Sequence, residues 1–87
     1  MDPRDLTFGE KAVGLNFNPS GDETVTKAKQ LSAELIDLVE QKMEFHEATK
    51  AEGARLSWIT NVLRTAAFNA IIAAQMSVVK FLTWKEL

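Results

Sequence analysis

Two long stretches of helical periodicity, separated by a polar break, dominate this 87-residue chain. In the first, Ala28, Leu31, Ser32, Leu35, Ile36, Val39, Met43 and His46 fall on one broad face, and Gln30, Glu34, Asp37, Gln41 and Glu44 fall on the other. That pattern predicts an amphipathic helix from about residue 21 to about residue 50. Ser20-Gly21-Asp22-Glu23 has the form of a capping box at its start, and Asp22 and Glu23 place negative charge where the helix dipole favours it. Thr49-Lys50-Ala51-Glu52-Gly53 is the break. A short connection there would fold a second helix, from about residue 53 to about residue 83, back antiparallel to the first.

The second helix carries two apolar stripes rather than one. Leu56, Ile59, Leu63, Ala66, Ala67, Ala70, Ala74, Val78 and Phe81 form one. Trp58, Thr65, Ile72, Met76 and Val79 form another, nearly opposite. A helix in a two-helix pair buries one stripe, so this one is expected to be buried on both sides, with partner copies of the chain supplying the second cover. Its alanines would let backbones approach closely. The longest weakly charged run, Thr65 to Val79, holds Asn69, Gln75 and Ser77, is too short to cross a bilayer, and reads as a buried helix.

Ahead of these helices lies a polar and aromatic segment. Thr7-Phe8-Gly9-Glu10 is a second capping box, and Gly14 stands where a glycine ends one or two turns, so a short helix is expected near residues 8–13. Residues 14–20 form a loop, with Pro19 holding Asn18 out of the helical region. The fold class expected is therefore all-α: a single domain over residues 1–87, in which a short N-terminal helix precedes a long antiparallel two-helix hairpin, assembling into an interlocked homo-oligomer.

Composition narrows the functional classes. A chain this short buries a modest share of its surface, yet 46% of its residues are hydrophobic. The absence of cysteine rules out disulfides and thiolate metal sites and suits a reducing cytoplasm. A formal charge of -2 argues against a polymeric nucleic-acid binder. The first residues lack the basic start and apolar run of a signal peptide. Catalysis finds little support. His46 is the one histidine, no nucleophile elbow or phosphate-binding glycine loop is present, and no cofactor or metal is expected. Binding is better supported. Phe8 and Phe17 sit in a segment too polar for a core, with Asn16, Asn18, Lys11, Lys27 and Lys29 around them in sequence. Rings stack on bases, amides read base edges and lysines meet phosphates. Spacing alone favours the plainer alternative, that both rings plug an open end of the bundle. Arg64, between the apolar stripes, needs a partner: a carboxylate such as Asp37 or Glu40, or a ligand phosphate.

FGEKAVGLNFNPSGDETVTKAKQLSAELIDL from Phe8 to Leu38, followed by Arg55 and by Ala74-Gln75-Met76-Ser77-Val78-Val79-Lys80, resembles a phage family of small helical-hairpin proteins, the anti-CBASS and anti-Thoeris sponges. The most specific part is the run from Phe8 to Ser20. The resemblance implies a non-enzymatic protein of the host cytoplasm that binds cyclic oligonucleotide or cyclic ADP-ribose-type immune messengers and holds them uncleaved. It implies interlocked dimers assembled into a hexamer, with ligands between protomers and no membrane or nucleic-acid polymer as partner. It places Phe8 or Phe17 as the base-stacking ring, Asn18 as a polar reader, Lys29 as the phosphate contact and Arg55 as a basic residue of a second or shared pocket. Where some members stack with tyrosine, this chain has none. The other class of function open at this point is a structural helical oligomer or protein-interaction module with no small-molecule ligand.

Overall fold

The computed structural model describes residues 5–86. The fold is all-α: α1 (Phe8–Val13), α2 (Glu23–Thr49) and α3 (Trp58–Leu82), with no strand among the described residues. Helix α1 is short because both of its ends are closed. The Thr7 hydroxyl accepts from the Glu10 backbone N–H at 3.1 Å, and the Glu10 carboxylate accepts from the Thr7 N–H at 2.9 Å. At the other end Gly14 turns left-handed (φ 64°), donating to the Lys11 carbonyl while Leu15 donates to that of Glu10. Those two bonds close the helix and leave the chain free to reverse.

Helix α2 begins two residues later than its sequence signal suggests. Asp22, not Ser20, is the N-cap, and its carboxylate accepts from the Thr24 backbone N–H at 2.8 Å. The side-chain hydrogen bond from Thr24, helped by the backbone one, holds the Asp22 carboxyl below the ordinary aspartate range. Ser20 is spent on the preceding turn, where Gly21 donates to the Asn18 carbonyl at 3.1 Å. Helix α3 likewise starts at Trp58 rather than near residue 53, with Ser57 as its N-cap. Gly53 lies at φ 78°, a left-handed conformation that stops helix propagation and lengthens the connection.

Ala28, Leu31 and Ser32 of α2 share a groove with Ala74, Val78 and Leu82 of α3, and Val39, Met43 and His46 share another with Thr60, Leu63 and Ala67. Helix α1 lies across α2 through a close backbone approach. Gly9 donates its N–H to Asp37 Oδ1 at 2.7 Å, and a β-carbon built on Gly9 would stand 2.1 Å from the Ala33 carbonyl oxygen. Val13, Ala33 and Ile36 form the core there, with Ala12, Leu15, Phe68, Ile71 and Ile72 packed around them. The Phe8 and Phe68 rings meet tilted at 6.0 Å between centroids, which ties α1 to α3 as well.

The face that α3 turns toward its neighbours differs from both expected stripes. Its half-buried and buried positions are Thr60, Arg64, Ala67, Phe68, Ile71, Ile72, Gln75, Val79 and Leu82. Of the first expected stripe, Leu63 is 62% and Phe81 79% exposed; of the second, Trp58 is 74% and Met76 63% exposed, while Ile72 and Val79 are covered at its edge. The polar residues Arg64 and Gln75 occupy the middle of the covered face; Arg64 finds there the carboxylate partner its place in the sequence called for, while nothing in the hydrophobic pattern points to Gln75. Arg64 settles there on a carboxylate: its Nε and Nη2 donate to Glu40 Oε1 at 2.9 and 2.7 Å. Helix α3 also extends well past the uncharged run that seemed too short to span a bilayer. Its 25 residues are long and apolar enough to cross a membrane by length and composition, and only 6% of its most apolar window is buried within the chain. The expectation of a helix covered on both sides is thus unmet by a single copy.

Dimensions carry the same message. The chain measures 57 × 30 × 12 Å, with a radius of gyration of 15.8 Å. A compact domain of this length has a radius near ~12 Å. The exposed area is 6617 Å², against about 5,100 Å² for an ordinary folded monomer of this mass. The structure is a thin plate with α1 covering part of one side.

Replacing Gly9 by alanine tests how α1 is held. The added methyl collides with backbone rather than with a flexible side chain, so Gly9→Ala is expected to lift α1 from α2 and cost about 2–3 kcal/mol in urea unfolding. A loss under ~0.5 kcal/mol would show that the contact at Ala33 is not what seats α1.

Candidate functional site at the N-terminal loop

The loop of residues 14–20 joins two helix ends that point different ways, and side chains from α2 hold it. Phe17 donates its N–H to the Gly14 carbonyl at 2.8 Å. Lys29, only 6% exposed, reaches up from α2 and donates its ammonium to the carbonyls of Gly14, at 3.1 Å, and of Phe17. The same ammonium stands 5.4 Å from the centroid of the Phe17 ring. Two charge-assisted hydrogen bonds and a cation–π contact therefore fix where the Phe17 backbone and ring sit. The ring itself stays 71% exposed.

Asn18 does comparable work on the other side of the turn. Its amide nitrogen donates to the Asp22 carbonyl at 2.8 Å and to Thr26 Oγ1 at 2.9 Å, and its amide oxygen accepts from Ser20 Oγ at 2.7 Å. An amide offers two donors and two acceptor lone pairs. Three of those four are engaged inside the protein, so the side chain sets the entry to α2.

The structure brings some of the anticipated residues together and separates others. Phe17, Asn18 and Lys29 share the loop. Phe17 walls an open cavity of about 580 Å³ with Leu6, Glu10, Lys11, Gly14, Leu15 and Asn16. Phe8, at the opposite end of α1 and half exposed, lines a different and smaller cavity of about 250 Å³ with Arg64, Thr65 and Phe68. Arg55 is exposed in the connection between α2 and α3. Twenty residues of helix separate Lys29 from the end of α2, about 30 Å at 1.5 Å each, so within one chain Arg55 is far from the loop. Nothing in the local sequence signalled that Phe8 would meet Phe68 and Arg64, because α3 arrives there only through the tertiary fold.

Chemically, the larger cavity is an apolar, ring-bearing hollow with a lysine and a carboxylate on its walls. It is shallow and widely open to solvent, so a ligand resting on it would keep much of its own surface exposed within a single copy. No cluster of three or more His, Cys, Asp or Glu side chains suited to a metal ion occurs among the described residues. His46 is half-buried on the groove between α2 and α3, with its ring edge against Phe45 at 6.1 Å between centroids.

If Lys29 organises the loop, removing its charge should be felt as instability. Lys29→Met, which keeps the aliphatic stem, is expected to lower the unfolding free energy by about 2 kcal/mol, because two carbonyls lose a charged donor. A melting curve that superimposes on that of the parent protein would contradict the role. Scans of the chain against protein-family models, curated proteins and solved structures return no match.

Proposed function

We propose that this protein binds and sequesters cyclic nucleotide messengers, cyclic di- or trinucleotides or cyclic ADP-ribose isomers, without cleaving them, as a phage anti-defence protein acting in the host cytoplasm. The observation that carries the reading is the cavity walled by the exposed Phe17 ring, on a loop whose backbone Lys29 holds in place. A free aromatic face on a fixed loop is what base stacking requires, since every base offers a π-face and a fixed ring loses little freedom on contact. The sequence from Phe8 to Ser20, on which the resemblance to the sponge family is most specific, is the stretch that builds this cavity.

The same proposal includes assembly. In it α2 and α3 form an antiparallel hairpin, and sister copies, a hexamer in the family resembled, cover the bare face of α3. The exposed area of 6617 Å² exceeds the norm for this mass by about 1,500 Å², roughly two sides of a standard interface at ~800 Å² each. Assembly would also let Arg55 of one copy approach the loop of another, which a single chain does not permit. Cover by sister copies suits α3 better than a lipid bilayer, because Asn61, Arg64, Asn69 and Gln75 lie along it and are expensive at membrane depth.

A second reading, a structural helical oligomer with no small-molecule ligand, is favoured by one specific observation. Lys29 and Asn18 are both engaged by the protein itself. Under that reading Phe8 and Phe17 are interface residues, and truncating them lowers the melting temperature without affecting any ligand.

Calorimetric titration with a panel of cyclic dinucleotides, cyclic trinucleotides and cyclised ADP-ribose isomers separates the two. Sequestration predicts saturable binding of at least one compound, with the intact cyclic ligand recovered after denaturation. No binding across the panel would leave the structural reading, and linear products would point to a hydrolase instead.

A further inference from the structure

A phosphate-bearing ligand in the Phe17 cavity needs a cation, and Lys29, the one expected from the resemblance, is poorly placed to be it. An ammonium has three donors. Two of those on Lys29 go to the carbonyls of Gly14 and Phe17, and the side chain is almost wholly buried beside the Phe17 ring. Turning toward a phosphate would strip both carbonyls of their charged donor and release the ring that the ligand is to stack on. Asn18 is similarly committed, and Arg55 lies at the far end of α2. Lys11 differs from all of these. It sits in the last turn of α1, is exposed, and lines the same cavity as Phe17.

We infer that Lys11 is the side chain that meets the ligand's phosphate, and that Lys29 is a positioning residue that holds the Phe17 ring beside it. This rests on the messenger-binding reading above. Glu10 lines the cavity too, with its Oε1 accepting from the Thr7 N–H in the capping box. A carboxylate beside an anion site selects for ligands that bring N–H or O–H donors next to their phosphate. A ribonucleotide does so through its ribose hydroxyls and exocyclic amines; a fully deprotonated anion such as sulfate does not. The division of labour is therefore a lysine for charge, a ring for the base, and a carboxylate that disfavours bare anions.

The test uses the 87-residue chain, with cyclic di-AMP, cyclic GMP–AMP, a cyclic triadenylate and the cyclised ADP-ribose isomers as probes, titrated at low and at raised salt. For the probe that binds the parent protein, Lys11→Ala should weaken affinity about tenfold to a hundredfold. It should flatten the salt dependence and leave the melting temperature unchanged. Lys11→Arg should restore most of the affinity, which a merely structural lysine would not require. Lys29→Met should lower the melting temperature while the binding that remains keeps its salt dependence. Parent-level affinity in Lys11→Ala, with the parent protein binding, overturns this inference alone. Failure of the parent protein to bind any probe brings down the messenger reading and this inference with it.

Discussion

The structure depends on how closely one short helix can approach a long one. At Gly9 the α1 backbone comes within hydrogen-bonding distance of Asp37 and against the Ala33 carbonyl, leaving no room for a side chain. That contact carries Val13 onto Ala33 and Ile36, and the Phe8 ring onto Phe68. From this seat the chain leaves α1 at Gly14, passes over Lys29, and enters α2 through the turn built by Asn18 and Ser20. Each later feature inherits its place from the first. The cavity beside Phe17 exists because α1 is fixed at one end and the loop is pinned to α2 at the other.

Much of the architecture was legible from local chemistry. The Thr7–Glu10 capping box and the Gly14 terminator are complete within eight residues, and both signals act through the chain's own backbone. The starts of α2 and α3 were less legible because capping groups compete. Ser20 and Asp22 can each cap a helix, and Asp22 prevails once Asn18 draws the Ser20 hydroxyl into the turn. Gly53 reads as a mild weakness at the start of a helix, yet at positive φ it lies in the connection, after α2 has ended at Thr49 and before α3 begins at Trp58.

The site was harder to read, for a physical reason. Residue types near a ring suggest roles, but hydrogen-bond demand decides which of them remain available. The carbonyls of Gly14 and Phe17 claim the Lys29 ammonium, and the start of α2 claims the Asn18 amide. Neither demand shows in residue order. Lys11, one of several lysines near the rings in sequence, stands on the cavity wall because α1 is wound and seated as it is. The covered face of α3 was misjudged on similar grounds. Patterning sorts residues by polarity, while Arg64 enters the covered face through its bond to Glu40.

What remains is surface. Only Val13, Val25, Ala33 and Ile36 are buried apolar residues among those described, whereas Leu31, Leu35, Leu63, Met76 and Phe81 are half exposed or more. So much apolar side chain left in water contributes nothing to stability until another surface covers it. We propose that the plate is folded because copies of it cover one another. Sedimentation velocity at micromolar protein, read together with helical content, tests this most directly. The account predicts a fully helical species several chains in mass that loses helicity as dilution dissociates it. A helical, cooperatively folding species with the mass of one chain would contradict it.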